Sequence, residues 1–266
     1  MSDIISKDLK TVLKGLRLSR MLDTLPERLV QARQGKMPHQ DFLLTVLGDE
    51  SARRQSNAVR FRSDKAGLDP AMQIEAWDET ATVLYDRELL HELATLRFLE
   101  ARYNVAIVGP VGVGKTFLAH ALGHIATRRG ISALAVRSDR MLKALRHARL
   151  DNSYDAELRR LLAPDLLIID DFALDAMDAT ESRDAFEILT ERHRAGSIVI
   201  TSNRGPDEWH ALFADPLRAQ AAIDRFASAS YDLTMEGESY RARQKPSLHR
   251  SRAGQNRILK TGGRQR

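Results

Sequence analysis

The sequence predicts an α/β protein with a parallel sheet and a phosphate-binding loop, preceded by a small all-helical domain. Three apolar runs, NVAIVG (104–109), LLIID (166–170) and SIVITSN (197–203), have the length and composition of buried strands. Helical segments separate these runs, which is typical of a parallel sheet covered by helices on both faces. The first run leads into GPVGVGKT (109–116), whereas residues 1 to about 65 carry apolar residues at helical spacing.

The N-terminal part is expected to form two helices separated near Gly35. An apolar set at i, i+3, i+4 and i+7 marks the first helix, and a second apolar set follows Pro38. These sets are Leu9, Val12, Leu13 and Leu16, and then Phe42, Leu43, Val46 and Leu47. The second helix is predicted to continue through SARRQSNAVRFR (51–62), which contributes Arg53, Arg54, Arg60 and Arg62. Gly67 and Pro70 indicate a linker in KAGLDPAMQIEAWDE (65–79).

From residue 80 onward the chain alternates predicted helices and strands. A helix is expected over 84–102, a second over 117–129 after the glycine-rich run, a strand over 131–137 and a third helix over 140–150. After Asn203 the chain is expected to be mostly helical until about Arg243. The predicted organisation is therefore a helical domain (1–66) for partner, oligomer or DNA contacts, a linker (67–79), a nucleotide-binding domain (80–243) and a basic, disordered tail (244–266).

Composition narrows the classes of function. The 266-residue chain has no cysteine, which excludes disulfides and cysteine-ligated zinc or iron–sulfur sites. The start MSDIISKDLK has no apolar core typical of a signal peptide, and no apolar stretch approaches the roughly 18 residues that span a membrane. We therefore expect a cytoplasmic protein without membrane contact. Nine Lys/Arg and no Asp/Glu follow from Arg241 onward, so the predicted tail is a candidate for polyanion contact.

The run GPVGVGKT fits the phosphate-loop pattern G-x-x-x-x-G-K-[ST] between a strand and a helix. Glycines let consecutive backbone N–H groups face an anion, and the N-terminus of the next helix adds positive potential. The lysine of this pattern binds the β- and γ-phosphates, and the hydroxyl residue binds Mg²⁺. The residues expected to bind the nucleotide are Gly109, Pro110, Val111, Gly112, Val113, Gly114, Lys115, Thr116 and Phe117.

Polar residues end two of the other predicted strands. Asp170 and Asp171 end LLIIDD, where one carboxylate can hold Mg²⁺ together with Thr116 and the next can orient an attacking water. Asn203 ends the strand that contains Thr201, and its amide could reach the γ-phosphate or the water. Asparagine is also a common turn former, so this assignment is weaker on residues alone.

The order of these features along the chain resembles that of an AAA+ ATPase: the phosphate loop comes first, then the paired aspartates, the polar strand end and the later arginines. PDLLIIDDF (164–172), VITSNRGPDEW (199–209) and AAIDRF…GESYR (221–241) resemble the IstB-like ATP-binding proteins, helpers of insertion-sequence transposases and cousins of the DnaC helicase loaders. The resemblance covers roughly residues 8–243. It implies a three-layer AAA+ core that binds ATP and Mg²⁺.

The resemblance also implies roles for individual residues. Gly109 to Thr116 would be the Walker A loop, and Asp170 the Walker B metal carboxylate. Asp171 would be the catalytic acid, at a position where most AAA+ proteins have glutamate. The remaining catalytic positions would be Lys115, Asn203 as sensor 1, Arg225 as an arginine finger for a neighbouring subunit, and Arg241 as sensor 2 acting in cis.

The implied function is an ATPase that binds DNA through its backbone without sequence preference, forms a homo-oligomer with ATP, and activates a transposase. A DnaC-like helicase loader is the alternative, while a small-molecule kinase and a non-catalytic DNA scaffold fit the residues less well.

Two further features of the sequence have competing interpretations. His120 and His124 have a zinc-binding spacing, although packing is the commoner role of such residues. Trp77 and Trp209 could stack on bases, although core packing is again commoner.

Overall fold

The computed structural model describes residues 5–78 and 83–240. The chain divides into two compact units, Met1–Arg62 and Ser63–Arg266. Arg241 and the predicted tail lie outside the described residues, so the prediction that this tail is disordered is not tested.

The N-terminal unit is helical, with three helices where two were predicted. They are α1 (Lys7–Gly15), α2 (Met21–Gln34) and α3 (His39–Lys65), the last of which ends beyond the unit boundary. The predicted first helix is interrupted at Arg17, whose φ of 58° is left-handed, and Leu18 N–H then donates to Leu13 O. A small core fills this unit: Ile5, Leu13, Met21, Leu25 and Val46.

The second unit has a five-stranded parallel sheet in the order β3-β4-β5-β2-β6. The strands are β2 (Asn104–Val108), β3 (Ala133–Arg137), β4 (Leu166–Asp170), β5 (Ser197–Ser202) and β6 (Ser230–Thr234). A separate antiparallel pair joins β1 (Val83–Leu84) to β7 (Glu236–Gly237).

Helices accompany the strands along the chain. They are α4 (Arg87–Ala94), α5 (Arg97–Glu100), α6 (Lys115–Arg128), α7 (Ser138–Leu150), α8 (Tyr154–Leu162), α9 (Ala179–Glu191), α10 (Pro206–Trp209) and α11 (Pro216–Ala227), with 3₁₀ turns at Ile74–Ala76 and His210–Leu212. Alternate residues of β2 enter two different apolar clusters, since Ala106 and Val108 join one and Val105 and Ile107 the other. Successive strand side chains point to opposite faces, so both faces of the sheet are buried and the unit has three layers.

Two predictions about the second unit need correction. The helix expected over 84–102 is two helices, because Leu96 has a φ of 62° between them. The region after Asn203 was expected to be mostly helical and contains α10 and α11, but it also contains β6, which pairs in parallel with β2 over five residue pairs. Its sequence SYDLT buries only Leu233 among its five side chains, so it gave no apolar run to identify a strand.

Candidate nucleotide-binding site

The predicted phosphate loop connects β2 to α6 and depends on glycine at both of its ends. Gly109 has a φ of 149°, and a Cβ there would lie 2.1 Å from Met235 O. Gly114 has a φ of 104° and is the N-cap of α6. A side chain at either position would be strained, so the loop conformation requires these two glycines.

Lys115 lies at the start of α6 with only 6% of its surface exposed. Three oxygen atoms lie within hydrogen-bond distance of its Nζ: Gly109 O at 2.8 Å, Pro110 O at 2.7 Å and Asn203 Oδ1 at 2.8 Å. The ammonium has three protons to donate, and these neutral acceptors hold it over the loop. Lys115 therefore connects the phosphate loop to the end of β5.

Thr116 and Asp170 meet between the loop and the end of β4. Thr116 Oγ1 donates to Asp170 Oδ1 at 2.8 Å, and the buried Thr201 Oγ1 donates to the same oxygen at 2.5 Å. Asp170 is 6% exposed. A hydroxyl and a carboxylate supply hard oxygen donors, which is the chemistry that Mg²⁺ prefers. These two residues could therefore hold that ion.

Asp171 follows β4 in a left-handed conformation, with a φ of 56°. Its N–H donates to Thr201 Oγ1 at 2.9 Å, which fixes the turn against β5. One carboxylate oxygen lies 3.9 Å from Nη2 of Arg137 at the end of β3, and a third of the Asp171 side chain is exposed. Non-glycine residues with positive φ are uncommon and often occur at functional sites. Asp171 thus presents a partly solvated carboxylate one residue beyond the buried Asp170.

These predicted side chains converge on one cavity of about 570 Å³. Its lining includes Lys115, Thr116, Asp171 and Asn203. They come from the start of α6 and from the ends of the neighbouring strands β4 and β5, at the edge of an α/β sheet where ligands bind. Arg225 does not line this cavity. It is exposed on α11, and the only hydrogen bond of its guanidinium to a described residue is to Ala221 O at 3.4 Å.

The family profile described as "IstB-like ATP binding protein" matches residues 11–247. The chain belongs to this family. Its fold is the P-loop AAA+ domain preceded by a helical region, as the sequence predicted. The protein is an ATP-binding AAA+ protein.

Relatives of this IstB-like chain match nearly its full length. An insertion-sequence ATP-binding protein of Mycobacterium tuberculosis is 39% identical over 239 residues, which cover 90% of this chain and 95% of the relative. The ATP-binding protein of insertion sequence IS21 from Pseudomonas aeruginosa is 33% identical over 238 residues, with 90% of each chain covered. Among solved structures, the DnaC helicase loader superposes with a TM-score of 0.50 at 18% identity, covering 55% of this chain and 86% of that one. At this identity the match supports the fold alone.

The histidine pair of this IstB-like protein binds the backbone of Asp69, in the segment predicted to be a linker. Asp69 N–H donates to His120 Nδ1 at 3.0 Å, and His124 Nε2 lies 2.8 Å from Asp69 O. A carbonyl only accepts, so His124 is the donor and His120 the acceptor. The spacing that resembled a zinc motif instead positions Asp69, which lines the nucleotide cavity.

The two tryptophans have different surroundings. Trp209 is fully buried in the core against Phe172 and Phe226, as the commoner interpretation predicted. Trp77 is half-buried and lines the nucleotide cavity. The sequence analysis considered Trp77 for base stacking, but no local sequence pattern predicted that it would lie beside the phosphate loop.

Part of the predicted arginine cluster is engaged within the N-terminal unit. Arg53 and Arg54 both contact Glu50 at 2.7 Å, and their hydrogen bonds, that of Arg53 first, hold the pKa of Glu50 at about 2. Arg60 is exposed. The cluster is therefore a smaller cationic surface than its sequence indicates.

None of the helices within residues 5–78 and 83–240 combines the length and the apolar composition that a membrane span requires.

Proposed function

We propose that the protein is a Mg²⁺-dependent ATPase that assembles on DNA with ATP and activates the transposase of its insertion sequence. The observation that carries the ATPase proposal is the convergence of Lys115, Thr116, Asp170, Asp171 and Asn203 at one edge of the sheet. Phosphoryl transfer needs charge stabilisation and a positioned water more than covalent chemistry. This set of side chains contains a candidate for each task.

Lys115 and the loop amides are proposed to bind the triphosphate. Three neutral oxygens lie within hydrogen-bond distance of the ammonium, and anionic phosphate oxygens form stronger, charge-assisted bonds with such a donor. Asn203 already contacts Lys115, which places its amide beside the phosphate that Lys115 would bind. Asn203 is therefore proposed to sense and orient that end of the nucleotide.

Asp171 is proposed to orient the attacking water and accept its proton. Asp170 and Thr116 would hold Mg²⁺, which neutralises charge on the phosphate oxygens. The two aspartates suit different roles because Asp170 accepts two hydroxyl hydrogen bonds while the Asp171 carboxylate is a third exposed. An exposed carboxylate can exchange a proton with water, whereas the buried one is committed to its partners.

Arg225 is proposed to act on the ATP of a neighbouring subunit. Its exposure on α11 and its single intrahelical contact leave the guanidinium available at the surface of the unit. A guanidinium suits this role because it is always charged and binds phosphate oxygens bidentately. If the finger is supplied in trans, assembly and hydrolysis are coupled by mass action.

Arg241 is proposed as the arginine that acts on the ATP of its own subunit. The division of the chain into a helical domain (1–66), a linker (67–79), a nucleotide-binding domain (80–243) and a tail (244–266) also stays a proposal.

DNA and transposase complete the proposed function. Two relatives that span nearly the whole chain are named as ATP-binding proteins of insertion sequences, which supports a role in transposition. Exposed Arg60 and the basic residues from 244 to 266 are proposed to contact DNA phosphates. A helicase loader of the DnaC type remains the second candidate, because the same ATPase core would serve both functions.

The ATPase proposal is tested by measuring ATP binding and turnover in Lys115→Ala. Loss of the ammonium should abolish both, because the loop then lacks its only lysine at the phosphates. Lys14→Ala is the matched control, since Lys14 is exposed in the N-terminal unit. A folded Lys115→Ala protein that hydrolyses ATP at the parent rate would refute the assignment.

The partner proposal is tested by adding purified transposase or purified replicative helicase to the protein with DNA. We expect ATP to increase DNA binding, with steep salt dependence, and to increase DNA joining by the transposase. ATP-dependent loading of the helicase, without any effect on the transposase, would favour the loader instead.

A further inference from the structure

Trp77 lies against the phosphate loop itself. A Cβ placed on Gly114 would be 2.7 Å from both Cη2 and Cζ3 of the indole. The side chain is half-buried and lines the cavity that also contains Lys115 and Thr116. The indole therefore occupies one wall of the nucleotide site, next to the glycine that begins α6.

Other aromatic side chains fix the position of the indole. Trp77 Nε1 donates to Tyr85 Oη at 2.9 Å, and the two rings are edge-on with centroids 5.9 Å apart. Phe117 packs on the indole at a centroid distance of 5.3 Å and an angle of 47°. Phe117 directly follows Thr116, so this aromatic group is tied to the turn of α6 that would hold the phosphates.

Hydrogen bonds of Tyr240 connect Asp78, the residue after Trp77, to the phosphate loop. Tyr240 Oη donates to Asp78 Oδ2 at 3.2 Å, and Tyr240 N–H donates to Gly112 O at 2.9 Å. Tyr240 is thus bonded both to the phosphate loop and to the neighbour of Trp77. These bonds hold the residue next to Trp77 against the phosphate loop.

The two ends of the cavity differ in chemistry. Lys115, Asp171 and Asn203 lie at the sheet edge, whereas the other end contributes the apolar side chains of Met72, Ala76, Trp77 and Val83 beside the carboxylates of Asp69 and Asp78. A nucleotide whose phosphates occupy the first end leaves its base for the second. A flat, weakly hydrated base gains most by packing on an aromatic surface.

We propose that Trp77 is a specificity-determining residue that binds the base of the nucleoside triphosphate by packing on it. The inference rests on the proposed binding of ATP at this site. An indole contacts the face of a base and makes no hydrogen bonds to its edge. Trp77 therefore favours purines, with their larger ring area, over pyrimidines, and contributes little to the choice between adenine and guanine.

The first test compares ligands with and without a base. Calorimetry with Mg²⁺ measures the affinities of ATP, CTP and inorganic tripolyphosphate for the parent and for Trp77→Ala, Trp77→Leu and Trp77→Phe. We expect Trp77→Ala to weaken ATP binding by roughly 5- to 150-fold, the range of one base–aromatic stack. CTP should lose less, and tripolyphosphate should stay within about twofold of the parent, because it has no base.

The other two variants separate stacking from structure. Trp77→Phe should recover most of the ATP affinity, and Trp77→Leu, which retains apolar volume without a π face, should recover less. Equal weakening of ATP and tripolyphosphate in Trp77→Ala would make the indole a support of the loop and overturn the proposal. Unchanged ATP affinity, or tighter binding, would also overturn it. A folded parent that binds no ATP would instead refute the proposed function.

Fluorescence gives a second readout because the chain has only two tryptophans. Trp209 is fully buried, and its Nε1 donates to Ser202 Oγ and Arg204 O, so its emission should be insensitive to the cavity. ATP should change the emission of the parent, tripolyphosphate should not, and Trp77→Phe should lose the response. An ATP-dependent change that persists in Trp77→Phe, or no change in the saturated parent, contradicts the proposal.

Discussion

The nucleotide cavity has two ends that are built differently. At the phosphate end, Lys115 and Thr116 begin α6, where Lys115 contacts Asn203 after β5 and Thr116 contacts Asp170 at the end of the adjacent strand β4. The linker end consists of residues 69–78 with Tyr240, and it is attached by a few bonds between segments remote in sequence. The first end inherits its geometry from the sheet, while the second depends on long-range contacts. We therefore expect changes at the phosphate end to affect catalysis, with ATP binding lost as well at Lys115, and changes at the linker end to affect affinity and stability.

The largest expected effect concerns Arg225, which would complete the phosphate end from another subunit. Arg225→Ala should reduce ATP turnover by about 1,000-fold or more, the usual contribution of an arginine finger. ATP affinity of the isolated monomer should stay unchanged, because the residue lies outside its own cavity. Turnover at saturating protein and calorimetry of the monomer measure the two quantities.

The matched control for the finger is Arg218→Ala on the same helix. Arg218 is also exposed and is paired with Asp215 at 3.3 Å. This variant should keep the parent rate. Parent-level turnover in Arg225→Ala would show that the phosphate end is complete within one subunit.

Asp171→Asn should give the next largest effect, a fall in turnover of about 100-fold or more, because an amide cannot accept the proton of the attacking water. Asparagine tolerates the left-handed backbone of this residue, so the turn after β4 should persist. ATP should still bind, and the assembled state should accumulate, as size-exclusion chromatography with ATP would show. Asp175→Asn, an exposed neighbour in the same loop, is the control. Unchanged turnover in Asp171→Asn would mean that another group positions the water.

The difference between the phosphate end and the linker end also explains which site residues could be predicted from the sequence. The phosphate loop, the paired aspartates and Asn203 were identifiable because a local motif and the ends of buried strands bring them to one edge of the sheet. The contact between Asp170 and Thr116 needed the folded chain, because β5 lies between β4 and β2 in the sheet. The assigned roles of these residues, with those of Arg225 and Arg241, stay predictions.

Other features had no local signal. The strand β6 has only one fully buried side chain, so it lacks the apolar run that would predict a strand. The helix break at Leu96 has a left-handed backbone, but no glycine or proline at this position indicates a break. The linker end was hidden for a related reason. Gly114 with Trp77, and Gly112 with Tyr240, are pairs that only the folded chain brings together.

Tyr240→Phe sharpens the comparison from the linker end. It removes the hydroxyl bond to Asp78 but keeps the backbone bond to Gly112 O. We expect ATP affinity to fall about threefold, within the net worth of one hydrogen bond, with no change in the maximal rate. Calorimetry and steady-state kinetics check the two values, with exposed Tyr103→Phe as the control. A fall in the maximal rate with unaltered affinity would place Tyr240 functionally at the phosphate end.

The smallest expected effect is a pH dependence of stability from His120. Burial lowers the pKa of His120 below its usual 6.5, although the charges of Asp170 and Asp69 oppose this shift. The neutral ring accepts the N–H of Asp69, so between its folded pKa and 6.5 the unfolded chain binds a proton that the folded chain does not. Stability therefore falls as the pH decreases through this window.

His120→Asn isolates this contribution, because asparagine keeps an acceptor and does not titrate. We expect the parent to lose more thermal stability than the variant between pH 7.5 and 5.5, by less than about 1.5 kcal/mol, the net worth of one hydrogen bond. Other titrating groups are common to both proteins and cancel in the difference. Equal losses in parent and variant would mean that the bond to Asp69 does not control the attachment of the linker, and the linker end would then be fixed by Tyr240 and the aromatic contacts of Trp77 instead.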